Sequence, residues 1–345
     1  MGFEKELKKF NIIPISEIAI EEKNYLLKDF ATNIINCLPD LGLEYNEVIM
    51  KLYKYNIVRA DMRDFEDSFY FYKNQTIYLK EDLDVYEESY KLISSFIYCI
   101  QEVRSKSGGL EKLGLCSFNE FKIKGLGLND SIIRYISNKI SDNGFNRNDN
   151  IYYTDFYTNI IVEQIVYITK SSQILNSAVN SNMMFRDIFT NLFQEDYIYT
   201  ELEKTFEIFF NNRQKLLKNE QQKNKKYEKN IEQIRKENEE IFFGFQTLLY
   251  IKYFNMKLKY ISEIEEIEEC NRELEEYMNL IYNKIEVYMD FMDEICLKLN
   301  RLENKIIERK SRSSLAIIEK GYIYEIIKAI KKIFFKNRIP KEDKL

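Results

Sequence analysis

Histidine does not occur anywhere in this chain of 345 residues. Without imidazole there is no paired-histidine zinc site and no Ser-His or Cys-His nucleophile. Proline and glycine are scarce, at 3 and 10 residues. With 45% hydrophobic and 31% charged residues, that scarcity argues against all-β and disordered chains and for a soluble protein rich in long helices. The five cysteines, Cys37, Cys99, Cys116, Cys270 and Cys296, are dispersed, odd in number and form no C-x-x-C pair. Neither a disulfide framework nor a structural zinc site is expected of them, and reduced thiols are the default. A basic surplus is also missing. The net charge of −5 and pI near 5.4 argue against nucleic acid as a partner. No run approaches the roughly 18 apolar residues a bilayer span needs, and the charged first ten residues lack the apolar core of a secretion signal. A cytoplasmic chain that does not span the membrane, and that carries no metal or other cofactor, is the expectation.

What is present is mainly helical periodicity. The expected class is mainly α with an α+β N-terminal part: a domain over 1–145, a helical bundle over 146–312 and a basic C-terminal helix over 313–345. Three short helices are expected over 3–56, the second carrying Tyr25, Leu26, Phe30, Ile34 and Ile35 and stopping before Pro39. The strongest strand signal follows, with Phe69 to Tyr72 and Thr76 to Leu79 forming two β-branched and aromatic runs around Lys73, Asn74 and Gln75. It predicts a hairpin, with room for a further strand near 57–60. A long helix is then predicted over 85–106, its buried stripe formed by Tyr86, Tyr90, Ile93, Ile97, Ile100 and Val103. Gly108 and Gly109 end it. A second helix over 130–140 follows a glycine-marked loop, with Asn129 or Asp130 as its cap. The polar segment 141–150 marks a domain boundary, and helices over 152–168, 174–193 and 197–217 complete the bundle. From 213 to 240 the composition becomes that of an exposed helix or hinge.

Further on, Leu274, Met278, Ile281, Ile285, Tyr288, Met292, Ile295, Leu299, Leu302 and Ile306 keep an unbroken 4-3 alternation, the pattern of a coiled-coil seam. As one straight helix this span is roughly 50 Å long. An intramolecular hairpin with the apolar run 241–261 is favoured over self-association between chains. The C-terminal stretch 322–338 sets Ile323, Ile326, Ile327, Ile330, Phe334 and Phe335 against Lys328, Lys331, Lys332, Lys336 and Arg338. That amphipathic pattern docks on the protein or makes weak contact with an anionic membrane surface.

The hairpin, helix, glycine loop and second helix together resemble the zincin-like metallopeptidases of clostridia and related bacteria. The resemblance rests on Thr76-Ile77-Tyr78-Leu79, the helix 92–104 with Gln101, Leu113-Gly114-Leu115-Cys116 with Phe118, Glu120 and Phe121, and the turn Gly125-Leu126-Gly127-Leu128-Asn129-Asp130. It covers roughly residues 3–142. In such enzymes H-E-x-x-H sets two imidazoles on one helical face as zinc ligands around a glutamate base, and a later helix supplies a carboxylate ligand. By position, the first histidine falls on Ser94, the glutamate on Ser95, the second histidine on Tyr98 and the third ligand on Asp130. Hydroxyls are poor zinc ligands at neutral pH, and Ser95 cannot act as the carboxylate base. The resemblance thus implies a zincin-like fold whose metal site has been vacated, and a polypeptide partner held along the hairpin edge by Phe69, Phe71, Thr76, Ile77 or Tyr78.

Other chemical readings are weaker. Ser94 and Ser95 lack a base and a strand-turn-helix elbow. Lys91 sits on another face, Cys99 and Cys116 read as buried small apolar residues, and the acidic run 263–269 lacks the glycine of a calcium loop. The basic cluster from Arg213 to Lys226 reads as a solvated helix face. The leading expectation is a non-catalytic, peptidase-like protein that binds or regulates another protein. The alternatives are an oligomeric helical scaffold or membrane-surface assembly protein, and an enzyme with unusual ligands such as Asp130 and Cys99.

Overall fold

The computed structural model describes residues 2–62, 67–119, 122–141, 150–220, 225–282 and 294–312, with 325 and 328. It is mostly helical, with 71% helix and 12% strand. The order is α1 (Gly2–Lys9), β1 (Ile13–Glu17), α2 (Ile20–Cys37), a 3-10 turn (Pro39–Leu41), α3 (Tyr45–Leu52), β2 (Asn56–Asp61), β3 (Ser68–Phe71) and β4 (Thr76–Lys80). A 3-10 turn (Ser89–Leu92) leads into α4 (Ile93–Gln101), β5 (Glu102–Arg104), β6 (Leu110–Leu113), β7 (Ser117–Asn119), β8 (Lys122–Lys124) and α5 (Leu126–Ser141). Then come α6 (Asn150–Thr169), α7 (Gln173–Asn180), α8 (Met184–Phe193), α9 (Asp196–Glu220), α10 (Lys225–Leu258), α11 (Ile264–Tyr282) and a helix over 294–312, here α12.

The chain divides into two compact units, Met1–Tyr253 and Phe254–Leu345. The division falls within α10 and not at the polar segment 141–150. The reason lies in α5, which is buried along most of its length by Leu128, Ile132, Ile133, Ile136 and their neighbours. A side chain on Gly127 would come within 2.6 Å of the Phe206 carbonyl on α9. The helices after the polar segment are therefore packed directly on the N-terminal elements.

In the first unit, four strands form a sheet in the order β1-β2-β4-β3. β1 is antiparallel to β2, β2 parallel to β4, and β4 antiparallel to β3. The expected hairpin and extra strand are thus present, but Thr76, Ile77 and Tyr78 are not at an edge. They lie on β4, which is paired on both sides and buried there. Of the expected peptide-binding positions, only Phe69 and Phe71 belong to an edge strand. One face of the sheet is covered by α1, through a core of Leu7, Ile12, Ala60, Met62, Phe71 and Tyr78. β1 escapes the periodicity argument because all five of its residues are exposed.

The long helix expected over 85–106 is only nine residues, Ile93–Gln101. Asp84 accepts hydrogen bonds from the backbone N–H groups of Tyr86 (2.9 Å) and Glu87 (3.4 Å) and so holds a turn ahead of it. Tyr86 and Tyr90, expected in the buried stripe, are 50% and 41% exposed. At the other end the chain turns extended at Glu102 and pairs as β5 with β6, the glycine loop being largely strand. The helix expected over 174–193 is broken at Ser181, whose φ of 52° is left-handed. The described residues of 213–240 are helical, as the exposed-helix reading expects, but that helix also has a buried side. Arg213 is 4% exposed and pairs with Asp155 at 3.4 Å, Asn238 is buried, and Leu216, Ile231 and Ile234 form a small core.

In the second unit, Leu274, Met278, Ile295, Leu299 and Ile306 are buried within the single chain, and Leu302 is half-buried. Ile281 is helical, while Ile285, Tyr288 and Met292 lie outside the described residues. The end of α10 packs on α11 and α12: Phe254 meets Tyr277 edge-on at 5.7 Å, Lys257 pairs with Glu273, and Lys298 donates to Asn255 at 2.9 Å. The end of the 241–261 run thus lies against α11 and α12. The basic stretch 322–338 lies outside the described residues apart from isolated positions. Among the described residues no helix is long and apolar enough to cross a membrane.

Candidate functional site

α4 is the element from which the candidate site is built. Ile93, Phe96, Ile97 and Ile100 bury its apolar side. Its polar side chains leave in two directions. Ser94, Tyr98 and Gln101 are spaced four and three residues apart and share one face, and each of them bonds to α5.

Ser94 Oγ lies 2.8 Å from Ser137 Oγ. Ser137 already donates its proton to the Ile133 carbonyl at 2.8 Å, so Ser94 is the donor of the pair. One turn on, the Tyr98 hydroxyl donates to Asp130 Oδ1 at 2.6 Å, and Arg134 Nε donates to Asp130 Oδ2 at 2.9 Å. Burial, with the Asp130 carboxylate next, pushes the Tyr98 phenol well above its usual range. At the end of the helix, the Gln101 and Asn129 amides exchange hydrogen bonds of 3.2 and 3.1 Å, both residues fully buried. Asn129 is therefore not a helix cap: α5 starts before it, at Leu126, and its Oδ1 also accepts the Leu115 N–H at 3.0 Å.

Ser95 leaves in the other direction. Its Oγ lies 2.9 Å from Ser68 Oγ on β3. Ser68 donates to the Lys91 carbonyl at 2.8 Å, so Ser95 donates to Ser68. The structure thus brings Tyr98 and Asp130 together, sets Ser94 beside them on the same α4–α5 seam, and points Ser95 at the sheet. In each case the hydroxyl proton is committed to a neighbour.

Positions 94, 98 and 130 share one seam, but the groups they carry do not fit zinc. Two hydroxyls are weak ligands, and the Asp130 carboxylate is shared between Tyr98 and Arg134. Among the described residues no set of three or more Cys, Asp or Glu side chains is placed to hold a metal ion. Cys99 and Cys116 are buried. Burial and then Glu102 raise the Cys99 thiol, while burial and then Asp130 push Cys116 up to about 12. Both thiols are poor nucleophiles at neutral pH.

Several supporting residues escape sequence reasoning. Glu102, whose side chain is fully buried, receives two hydrogen bonds from Arg104 at 2.7 and 3.0 Å and one from Tyr55 at 3.3 Å. Arg104 also donates to the Gly108 carbonyl at 2.9 Å and to the Tyr72 carbonyl, tying β3 to the β5–β6 turn. Ser181 accepts the Gly114 N–H at 2.7 Å and donates to the Gln101 carbonyl. The Asp130–Arg134 pair has the i, i+4 spacing that favours ion pairs on helices. The Glu102–Arg104 alternation fits a strand, but the expected long helix conceals it.

Comparison of the chain with family models, with curated proteins and with solved structures finds no match.

Proposed function

We propose that this chain is a non-catalytic, peptidase-like binding protein: a zincin-like scaffold whose metal positions have become a hydrogen-bonded clasp, with polypeptide recognition as its remaining role. One observation carries the reading. The positions that would hold the two imidazoles, 94 and 98, both reach across to α5, and Tyr98 meets the third-ligand position directly through its 2.6 Å bond to Asp130. The clasp links α4 to α5 as a metal would, with hydroxyl, carboxylate and guanidinium in place of imidazole. A charge-assisted bond of this kind contributes about 1.5–3 kcal/mol, enough to retain the scaffold without metal.

Polypeptide binding then falls to the sheet edge beside α4. Lys80 N–H donates to the Asp67 carbonyl at 3.1 Å. This fixes 67 and 80 as a hydrogen-bonded pair, and the alternation of an antiparallel ladder turns the backbone groups of Ser68 and Tyr70 away from β4. Those groups face the side of β3 on which no strand is paired among the described residues. An extended peptide pairs with such an edge by strand addition. The scaffold alternative draws no comparable support, because Leu274, Met278, Ile295, Leu299 and Ile306 are already buried within one chain.

Plasma mass spectrometry of tag-free protein refolded with zinc tests the reading. The native chain is expected to carry no zinc, and the Ser94→His, Ser95→Glu, Tyr98→His, Asp130→Glu variant about one ion per chain, matching a four-coordinate site with one open position. Stoichiometric zinc in the native chain would overturn the loss of the site. A folded variant that takes up no zinc would remove the zincin-like resemblance.

A further inference from the structure

The sheet has two edges, and they are chemically unequal. β1 offers Pro14, which has no N–H, and its register shifts between Pro14 and Ser16. Proline and bulges are the usual devices that keep an edge from accepting another strand. β3 has neither. The Tyr72 carbonyl at its end is taken by Arg104, while Ser68 and Tyr70 have no strand beside their outward groups among the described residues.

Beside this open edge, on the face covered by α1, lies a shelf of aromatic rings. Phe10 sits 5.5 Å from Phe69 and 6.4 Å from Phe71 between ring centroids, Phe3 is 6.2 Å from Phe71, and Tyr72 is 6.2 Å from Phe71. Phe71 is buried, but Phe3, Phe10 and Tyr72 are 45%, 40% and 40% exposed. Ring exposure of this kind at a sheet edge is a feature of recognition surfaces more than of inert ones.

Resting on the reading of β3 as a strand-addition edge, we propose that its occupant is an extended peptide carrying large apolar side chains at every second position. The geometry dictates this period. Residues paired across two strands share a face, so guest residues opposite Phe69 and Phe71 project over the Phe3, Phe10 and Tyr72 rings. The residues between them, opposite Ser68 and Tyr70, project to the other face, beside Lys91, which is paired with Asp67 and Glu88. The guest thus has a period of two, with its large apolar side chains turned toward α1.

A phage-displayed random octapeptide library panned on the full chain tests this. The expected result is enrichment of peptides with large apolar residues at alternate positions, and about tenfold weaker binding of the best peptide by a Phe10→Ser, Tyr72→Ser variant whose thermal melt matches the native one. Tyr72→Ser alone is the second variant, since its ring is exposed and its backbone bond to Arg104 is kept. Enrichment without alternation, or unchanged affinity in both variants, overturns the apolar shelf and leaves strand addition standing. N-methylation of the selected peptide separates the two ideas: methyl groups on alternate amides should abolish binding, and tolerance at every amide overturns strand addition itself. Absence of any enrichment overturns both.

Discussion

Gly114 holds φ at +54°, and a Cβ placed on it would lie 1.9 Å from Asn129 Oδ1. The Gln101–Asn129 amide pair is therefore built against a bare backbone. Gly108 also has a left-handed φ, +86°, but nothing lies within 4 Å of its missing Cβ. The two positions separate conformational strain from steric conflict. Gly108→Ala is expected to cost about 1 kcal/mol, the usual strain of a left-handed non-glycine residue. Gly114→Ala adds the loss of buried amide hydrogen bonds, each about 1–3 kcal/mol when a partner is left unpaired, and should cost at least about 3 kcal/mol. Urea unfolding of the two variants checks the order, and equal midpoints would contradict it.

At the scale of elements, the start of α5 is where charge matters most. Its Gly127 N–H donates to Glu207 on α9 at 3.3 Å, and Glu203, one turn earlier, approaches Gly125. Burial, with a smaller push from Glu207, raises the Glu203 carboxyl above its ordinary value against the pull of Arg186 and Lys124. A carboxyl with a raised folded pKa binds its proton more tightly in the folded state, so ionisation penalises folding at neutral pH. The penalty is relieved as pH falls through the folded value and is gone below the unfolded one. Glu203→Gln should accordingly melt higher than the native chain at pH 7, with the difference shrinking toward pH 4. A difference that grows on acidification would reverse the assignment.

Some elements were legible in the sequence for plain reasons. The β3–β4 hairpin announces itself by aromatic and β-branched runs around a polar turn, and α2 by apolar spacing up to Pro39. Tyr98 and Asp130 meet through a hydrogen bond between neighbouring helices, a contact that no local spacing fixes. What was hidden are interactions decided by tertiary context. Glu102 and Arg104 end α4 by pairing with each other on a strand, although local propensity favours continuing the helix. The exposed β1 has no period to detect. The seam residues are evident in sequence, but whether one chain or two would bury them is not a local property.

For the whole molecule, the seam gives a direct expectation of mass. Leu274, Met278, Ile295, Leu299 and Ile306 are buried without a second chain, so the usual driving force for pairing two helices is already consumed. Size-exclusion chromatography with light scattering at micromolar concentration should return the mass of one chain, 41.7 kDa. A concentration-dependent dimer would show that an interface other than these residues is at work. The unequal edges of the sheet bear on a different kind of assembly. Pairing that continued on both sides of a sheet would let molecules join end to end into fibres. Here the Pro14 side ends such growth, so the proposed strand addition would have a valence of one: a single guest on β3, with no second growing end.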